Sequence, residues 1–245
     1  MQLLNKFRAG YNVVLLVALL SCSKSSDTSS SGGNNGGGNG ATNSTTCTIN
    51  TISQVNSGVS AEASISAIYN SNFDVIKLII YDSASKTKTF EANFNYIGGD
   101  TVRMNQHQYM LLDGNKRVIR FITKSDMADL ANADDYIFEY MYNSDGYLTT
   151  KNLFINGSQK ANFSTVYSYA DNKLTGCIMS SPSAGHAKVL ESTLSYDNSI
   201  SAKNWIYTFP DAMEGYVYAT AMNFGKRVAN PLSKVVTRIY NPVSG

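Results

Sequence analysis

Five segments of this chain begin with a tyrosine, pass through a short polar turn and return on a Val, Leu or Ile. They are Tyr69–Val75, Tyr96–Val102, Tyr142–Leu148, Tyr169–Leu174 and Tyr196–Ile200. Leu112–Val118 follows the same plan with leucine in place of tyrosine. Tyr69 and Tyr96 are 27 residues apart, and so are Tyr142, Tyr169 and Tyr196 in series. The tyrosine ends one strand, Asn, Asp, Ser and Gly make the turn, and the apolar residue opens the return strand on the same sheet face. Two strands with their two connections fit the 27-residue spacing. A lone hairpin is marginal in water and gains stability only beside its neighbours. The repeat therefore predicts hairpins laid side by side.

Period-two alternation supports this. Ala63, Ile65, Ala67 and Tyr69 alternate, as do Phe90, Ala92, Phe94 and Tyr96. Val118, Arg120 and Ile122 alternate against Ile119, Phe121 and Thr123. Turn signals at Gly98–Asp100, Asp113–Asn115, Asn143–Gly146, Asp171–Asn172 and Asp197–Asn198 separate the runs. The predicted fold is all-β: a long antiparallel up-and-down meander of about fourteen strands, strongly curled or barrel-like. One stretch departs from the pattern. Ser125–Asp135 opens on a capping serine or aspartate followed by helix formers, and predicts one or two helical turns. Its acids Asp126, Asp129, Asp134 and Asp135 lack the glycine and closing glutamate of a calcium loop, so they are expected on a solvated helix start.

The N-terminus reads as an export signal. Lys6 and Arg8 precede an apolar run, Val13–Leu20, that is too short to span a bilayer, which needs about 20 residues. Leu19–Cys22 resembles the bacterial lipobox, with Leu20 larger than that motif usually carries. The resemblance implies cleavage after residue 21 and acylation of Cys22. Several acyl chains make a stable anchor, since each buried CH₂ contributes about 0.8 kcal/mol. Residues 23–46 are Ser, Thr, Gly and Asn apart from Lys24, Asp27 and Ala41. Together with Cys22 they form an expected disordered linker, 22–46, reaching roughly 25–30 Å on average. Residues 47–245 then form the all-β domain. Loss of Lys6 and Arg8 with the signal leaves 18 basic and 18 acidic residues. That balance removes the electrostatic case for nucleic-acid binding. Cys47 and Cys177 either pair as a disulfide in an oxidising compartment or remain two thiols.

The motifs of common enzymes are missing from the sequence. His107 and His186 belong to no zinc motif, and neither a nucleophile elbow nor a phosphate-binding glycine loop is present. His107 is expected on a strand face and His186 in a solvated loop. Glu91, Glu139, Glu191 and Glu214 are each candidates for paired-carboxylate chemistry, but sequence places no two of them together. No metal and no cofactor is expected, and the chain is read as a non-enzyme. Its 16 Tyr and 10 Phe fit cross-strand packing. Trp205, outside the repeat register, is the candidate for stacking against a ligand.

Tyr140–Leu148 and Val166–Leu174 resemble the Tyr-Asp hairpins of YD-repeat proteins. The wider arrangement resembles a family of Bacteroidota lipoproteins carrying a porin-like domain of unknown function. The matching features are Cys47 after a Ser/Gly linker, the serial tyrosine hairpins, and Phe224–Val235, whose Pro231 and Leu232 stand in swapped order. Such domains usually finish on another tyrosine hairpin, whereas this chain stops at Tyr240–Gly245, which leaves an early finish or a fragment open. The resemblance implies location and fold rather than chemistry: an outer-membrane lipoprotein of the cell envelope, its face open between periplasm and surface. The expected partners are the membrane, through the lipid anchor, and a glycan or protein ligand. The alternative expectation is a transport or assembly accessory that holds a lipid or apolar peptide in a β half-barrel.

Overall fold

The hairpins at Tyr69, Tyr96, Leu112, Tyr142 and Tyr169 form where the repeat places them, and the cause is local; the return residue of the Tyr196 unit, Ile200, lies outside the described residues. In the turn after Tyr69, the Asn70 side-chain oxygen accepts the backbone N–H groups of Asn72 and Asp74, both at 2.9 Å. After Leu112, the Asp113 carboxylate accepts those of Asn115 and Arg117, again at 2.9 Å. After Tyr142, the Asn143 oxygen accepts the N–H of Tyr147 at 2.9 Å. A short polar side chain just after the strand end thus closes the turn on its own backbone. Gly146 supplies the positive φ (88°) that the Tyr142 turn requires.

The computed structural model describes residues 20–22, 45–56, 59–72, 74–82, 85–199, 222–226, 230 and 232–240. Its first strands are β1 (Leu20–Cys22), β2 (Thr45–Asn56), β3 (Val59–Tyr69), β4 (Val75–Asp82) and β5 (Lys88–Asn93). Then come β6 (Asn95–Ile97), β7 (Thr101–Arg103), β8 (Tyr109–Leu112), β9 (Val118–Lys124) and β10 (Asp135–Tyr142). The last are β11 (Leu148–Ile155), β12 (Phe163–Ala170), β13 (Lys173–Ser181), β14 (His186–Tyr196) and β15 (Leu232–Ile239). Every sheet neighbour is antiparallel and consecutive in number, so the meander is as expected. It runs as a five-stranded sheet, β1 to β5, and a ten-stranded sheet, β6 to β15. The expected barrel closure is absent: among the described residues both sheets are open, and no strong curl is found.

The two sheets meet along one extended run. Asn93 pairs with Lys77 of β4, the Phe94 N–H donates to the Ile76 carbonyl at 2.9 Å, and Asn95 pairs with Arg103 of β7. The strand changes partner at Phe94 without losing its alternation. Phe90, Ala92, Phe94 and Tyr96 all face the core, as the sequence predicts. That core is a single cluster spanning both sheets, with Leu78, Val102, Met110, Val118 and Leu174 fully buried. Phe121 and Phe138, opposite each other on β9 and β10, stack with ring centroids 6.0 Å apart.

A bulge accompanies four of the repeat hairpins. Tyr69 pairs with Val75, Leu112 with Val118, Tyr142 with Leu148 and Tyr169 with Leu174. The next pair inward skips one residue each time, leaving Ile76, Ile119, Thr149 and Thr175 as the extra ones. The skip lets both hairpin residues face the core while the strands beyond resume their own alternation. It also corrects the strict alternation expected over Val118–Thr123: Val118, Phe121 and Thr123 are buried and Ile119 is exposed. The Thr149 and Thr175 hydroxyls donate across the bulge to the Met141 and Ser168 carbonyls, each at 3.1 Å.

The hairpins are then joined to one another. The Tyr142 hydroxyl donates to the Val118 carbonyl at 2.6 Å, Tyr169 to Leu148 at 2.9 Å, and Tyr196 to Leu174 at 2.9 Å. Each tyrosine reaches the apolar residue of the hairpin before it, so three rungs form a hydroxyl ladder along one end of the sheet.

The helical turns expected at Ser125–Asp135 do not form. The Asp126 carboxylate accepts the Ala128 N–H at 2.8 Å, and the Ser125 hydroxyl oxygen accepts the Asp134 N–H at 2.8 Å, closing an irregular loop. Met127 and Leu130 are exposed, so a helix here would have no buried face to offset its nucleation cost.

Removing one rung tests the ladder. Tyr169→Phe leaves the Leu148 carbonyl without its donor, and the expected loss is about 1–2 kcal/mol of unfolding free energy in urea denaturation. An unchanged midpoint and slope would show that the rung contributes nothing.

Candidate functional site

The ladder end of the sheet is crossed by the segment Met222–Lys226. The Asn223 carbonyl accepts the Val118 N–H at 2.8 Å, and the Lys226 N–H donates to the Gly146 carbonyl at 2.8 Å. This strap therefore fastens the Leu112 and Tyr142 hairpins together. Met222 and Phe224 are buried, and Phe224 meets the Tyr140 ring edge-on at 5.0 Å. Glycine is required between Phe224 and Lys226. Gly225 has a φ of 94°, and a Cβ there would lie 2.7 Å from the Gly146 carbonyl oxygen and 2.8 Å from the Tyr142 ring. Cations cover the neighbouring rings: Arg117 stands 4.5 Å from the Tyr142 ring centre and the Lys226 ammonium 4.8 Å from that of Tyr147. Arg117 is itself held by Asp113 at 2.6 Å. Burial pushes the Asp113 carboxyl up, but hydrogen bonds from the Arg117 side chain, the Arg117 backbone and the Asn115 backbone outweigh it and hold the group below its usual range.

Beside the strap a cavity of about 210 Å³ opens between three hairpins. The first contributes Tyr69, Asp74 and Val75, the second Tyr96, the third Leu112 and Lys116, and the strap Met222 and Asn223. Its apolar lining comes from core-facing positions and its polar groups from the turns. One Asp74 carboxylate oxygen accepts the Asn70 amide at 3.2 Å. The Lys116 ammonium donates to the Gly99 carbonyl. Burial, reinforced by the negative Asp74 and by Tyr69, pushes the Tyr96 phenol well above its ordinary range. Tyr96 therefore remains a neutral O–H donor at physiological pH. Among the described residues that hydroxyl has no hydrogen-bond partner. A neutral donor, a carboxylate, an ammonium and an amide thus edge an aromatic and aliphatic hollow.

The residues singled out from the sequence lie elsewhere. Trp205 and Glu214 are outside the described residues. Cys22 and Cys47 pair in register between β1 and β2, their side chains outside the described residues. Cys177 is buried on the core face of β13, in the other sheet. His107, expected on a strand face, lies in the loop between β7 and β8, its backbone N–H on the Asn105 oxygen at 2.8 Å. His186 opens β14 directly after the Pro182–Ala184 turn rather than sitting in a loop. The carboxylates are dispersed. Glu91 pairs with Lys77 and Lys88, Glu139 with Arg120, and Glu191 with Lys188. Among the described residues no three His, Cys, Asp or Glu converge as a metal site.

None of the cavity's polar residues was singled out from the sequence as a ligand contact; Tyr69 and Tyr96 were read only as members of the hairpin repeat. The available signal was Leu112, the one departure from the tyrosine pattern, which marks where the cavity lies. No protein-family model matches the chain, and it matches no curated protein.

Proposed function

We propose that this chain is a lipid-anchored, non-enzymatic binding domain of the bacterial cell envelope, serving a glycan or protein partner. The observation that carries the reading is the cavity at the hairpin edge, where aromatic, aliphatic and hydrogen-bonding groups converge on a scaffold fixed by ladder and strap. The sequence supports the anchor: the signal over 1–21, acylation at Cys22 and the spacer of 22–46 place the domain near the outer membrane. In this reading, cleavage removes Leu20 and Ser21 from β1, and Cys22 carries the acyl chains. The resemblance to Bacteroidota porin-like lipoproteins belongs to the same proposal. The lipid-carrier alternative needs an open apolar inner face. The inner positions are instead filled by packed side chains such as Phe121, Phe138, Leu153 and Leu174, which favours surface binding.

Two measurements test the parts separately. In a bacterial host, the chain is expected in the membrane fraction and labelled by radioactive palmitate, and Cys22→Ala is expected to be unlabelled and released. A variant still labelled and membrane-bound would rule out Cys22 as the anchor. The purified chain is expected to rise in Tm with soluble glycans and to show no rise with lipids. A rise with lipids alone would favour the carrier.

A further inference from the structure

The cavity lies at the one hairpin that breaks the tyrosine repeat. At Tyr142, Tyr169 and Tyr196, a phenol extends along the sheet end and closes on the carbonyl of the hairpin before it. At Leu112 a short aliphatic side chain occupies the equivalent place. It carries no hydroxyl and cannot reach toward Val102 of the preceding hairpin as a tyrosine would. Leu112 instead lines the cavity, together with the strap residues Met222 and Asn223.

We infer that this gap is a binding site for a single neutral pyranose ring, the terminal sugar of a glycan; the inference rests on the glycan-binding reading above and gives it a site. Size sets the first limit. At about 210 Å³ the cavity is below the roughly 300–1,000 Å³ of drug-sized sites, so it admits one ring rather than a chain. Charge sets the second. Asp74 and Lys116 bring one negative and one positive group, so the site as a whole favours neither an anion nor a cation. Each is also engaged with the protein, Asp74 with the Asn70 amide and Lys116 with the Gly99 carbonyl, so neither needs a charged ligand. Hydrogen-bond chemistry sets the third. Sugar hydroxyls both donate and accept, which suits a carboxylate acceptor, the unpartnered Tyr96 donor and the second N–H of the Asn223 amide, whose oxygen accepts the Gly225 N–H and whose other N–H donates to the Asn115 carbonyl. The C–H face of the ring suits the Tyr96 ring and the Val75, Leu112 and Met222 side chains.

The experiment titrates methyl pyranosides of glucose, galactose, mannose and N-acetylglucosamine into the purified chain and follows amide shifts by NMR. Glycine, inorganic phosphate and the open-chain polyol sorbitol are the comparison probes. At least one pyranoside is expected to bind in the millimolar range, with shifts at Tyr96, Lys116 and Asn223. Leu112→Tyr, which fills the gap, is expected to weaken binding at least tenfold, as are Asp74→Asn and Tyr96→Phe. Val166→Thr, on the solvent face of β12, is expected to leave binding unchanged. Thermal unfolding shows whether Leu112→Tyr folds; if it does not, the Asp74 and Tyr96 variants decide. Pyranoside binding that survives all three variants would overturn the site while leaving a glycan-binding function standing. Binding of glycine or phosphate without any pyranoside would overturn the ligand class. An absence of pyranoside binding would overturn the inference, and retained binding of longer glycans would then keep the broader reading intact.

Discussion

The structure depends on the hydrogen bond from a tyrosine hydroxyl to the backbone carbonyl of the preceding hairpin. Main-chain pairing joins each strand to its neighbours, but strand pairs of this kind are marginal alone. The rungs bind residues 24, 21 and 22 positions apart, at 142–118, 169–148 and 196–174. They consume a carbonyl at the rim and a phenolic hydroxyl, two groups that would be costly to leave buried without partners. They also fix which face each hairpin presents. The phenol reaches the carbonyl because the bulge after Val118, Leu148 or Leu174 keeps tyrosine and apolar residue on the core side.

Much of this was legible in the chain. The 27-residue spacing of Tyr69 and Tyr96, and again of Tyr142, Tyr169 and Tyr196, carries the meander, and the alternation of Phe90 to Tyr96 predicts the core face at the corner. Local patterns expose local structure well, because turn chemistry and side-chain period act over a few residues. The bulges escaped, since one skipped residue at Ile119 looks like ordinary alternation until the partner strand is known. The Ser125–Asp135 segment misled because capping residues also close loops, and only the lack of a buried face decides between the two.

The site was hidden for a different reason. Its wall comes from Met222 and Asn223, while the Tyr69, Tyr96 and Leu112 hairpins lie more than a hundred residues earlier. The Asn223 carbonyl that accepts the Val118 N–H is a contact no window of sequence contains. Leu112 was visible as a variant of the repeat, but a variant shows where a cavity lies only once the other members are known to point the same way. In this fold the repeat supplies rigidity, and the interruption of the repeat supplies room.

The ladder itself is most directly tested by hydroxyl-proton exchange, read from the deuterium isotope shift at Cζ of labelled tyrosines. Slow exchange is predicted at Tyr142, Tyr169 and Tyr196, whose hydroxyls are bonded to carbonyls, and faster exchange at Tyr96, whose hydroxyl faces the cavity. Fast exchange at all four, or exchange at Tyr96 as slow as at the other three, would contradict the account.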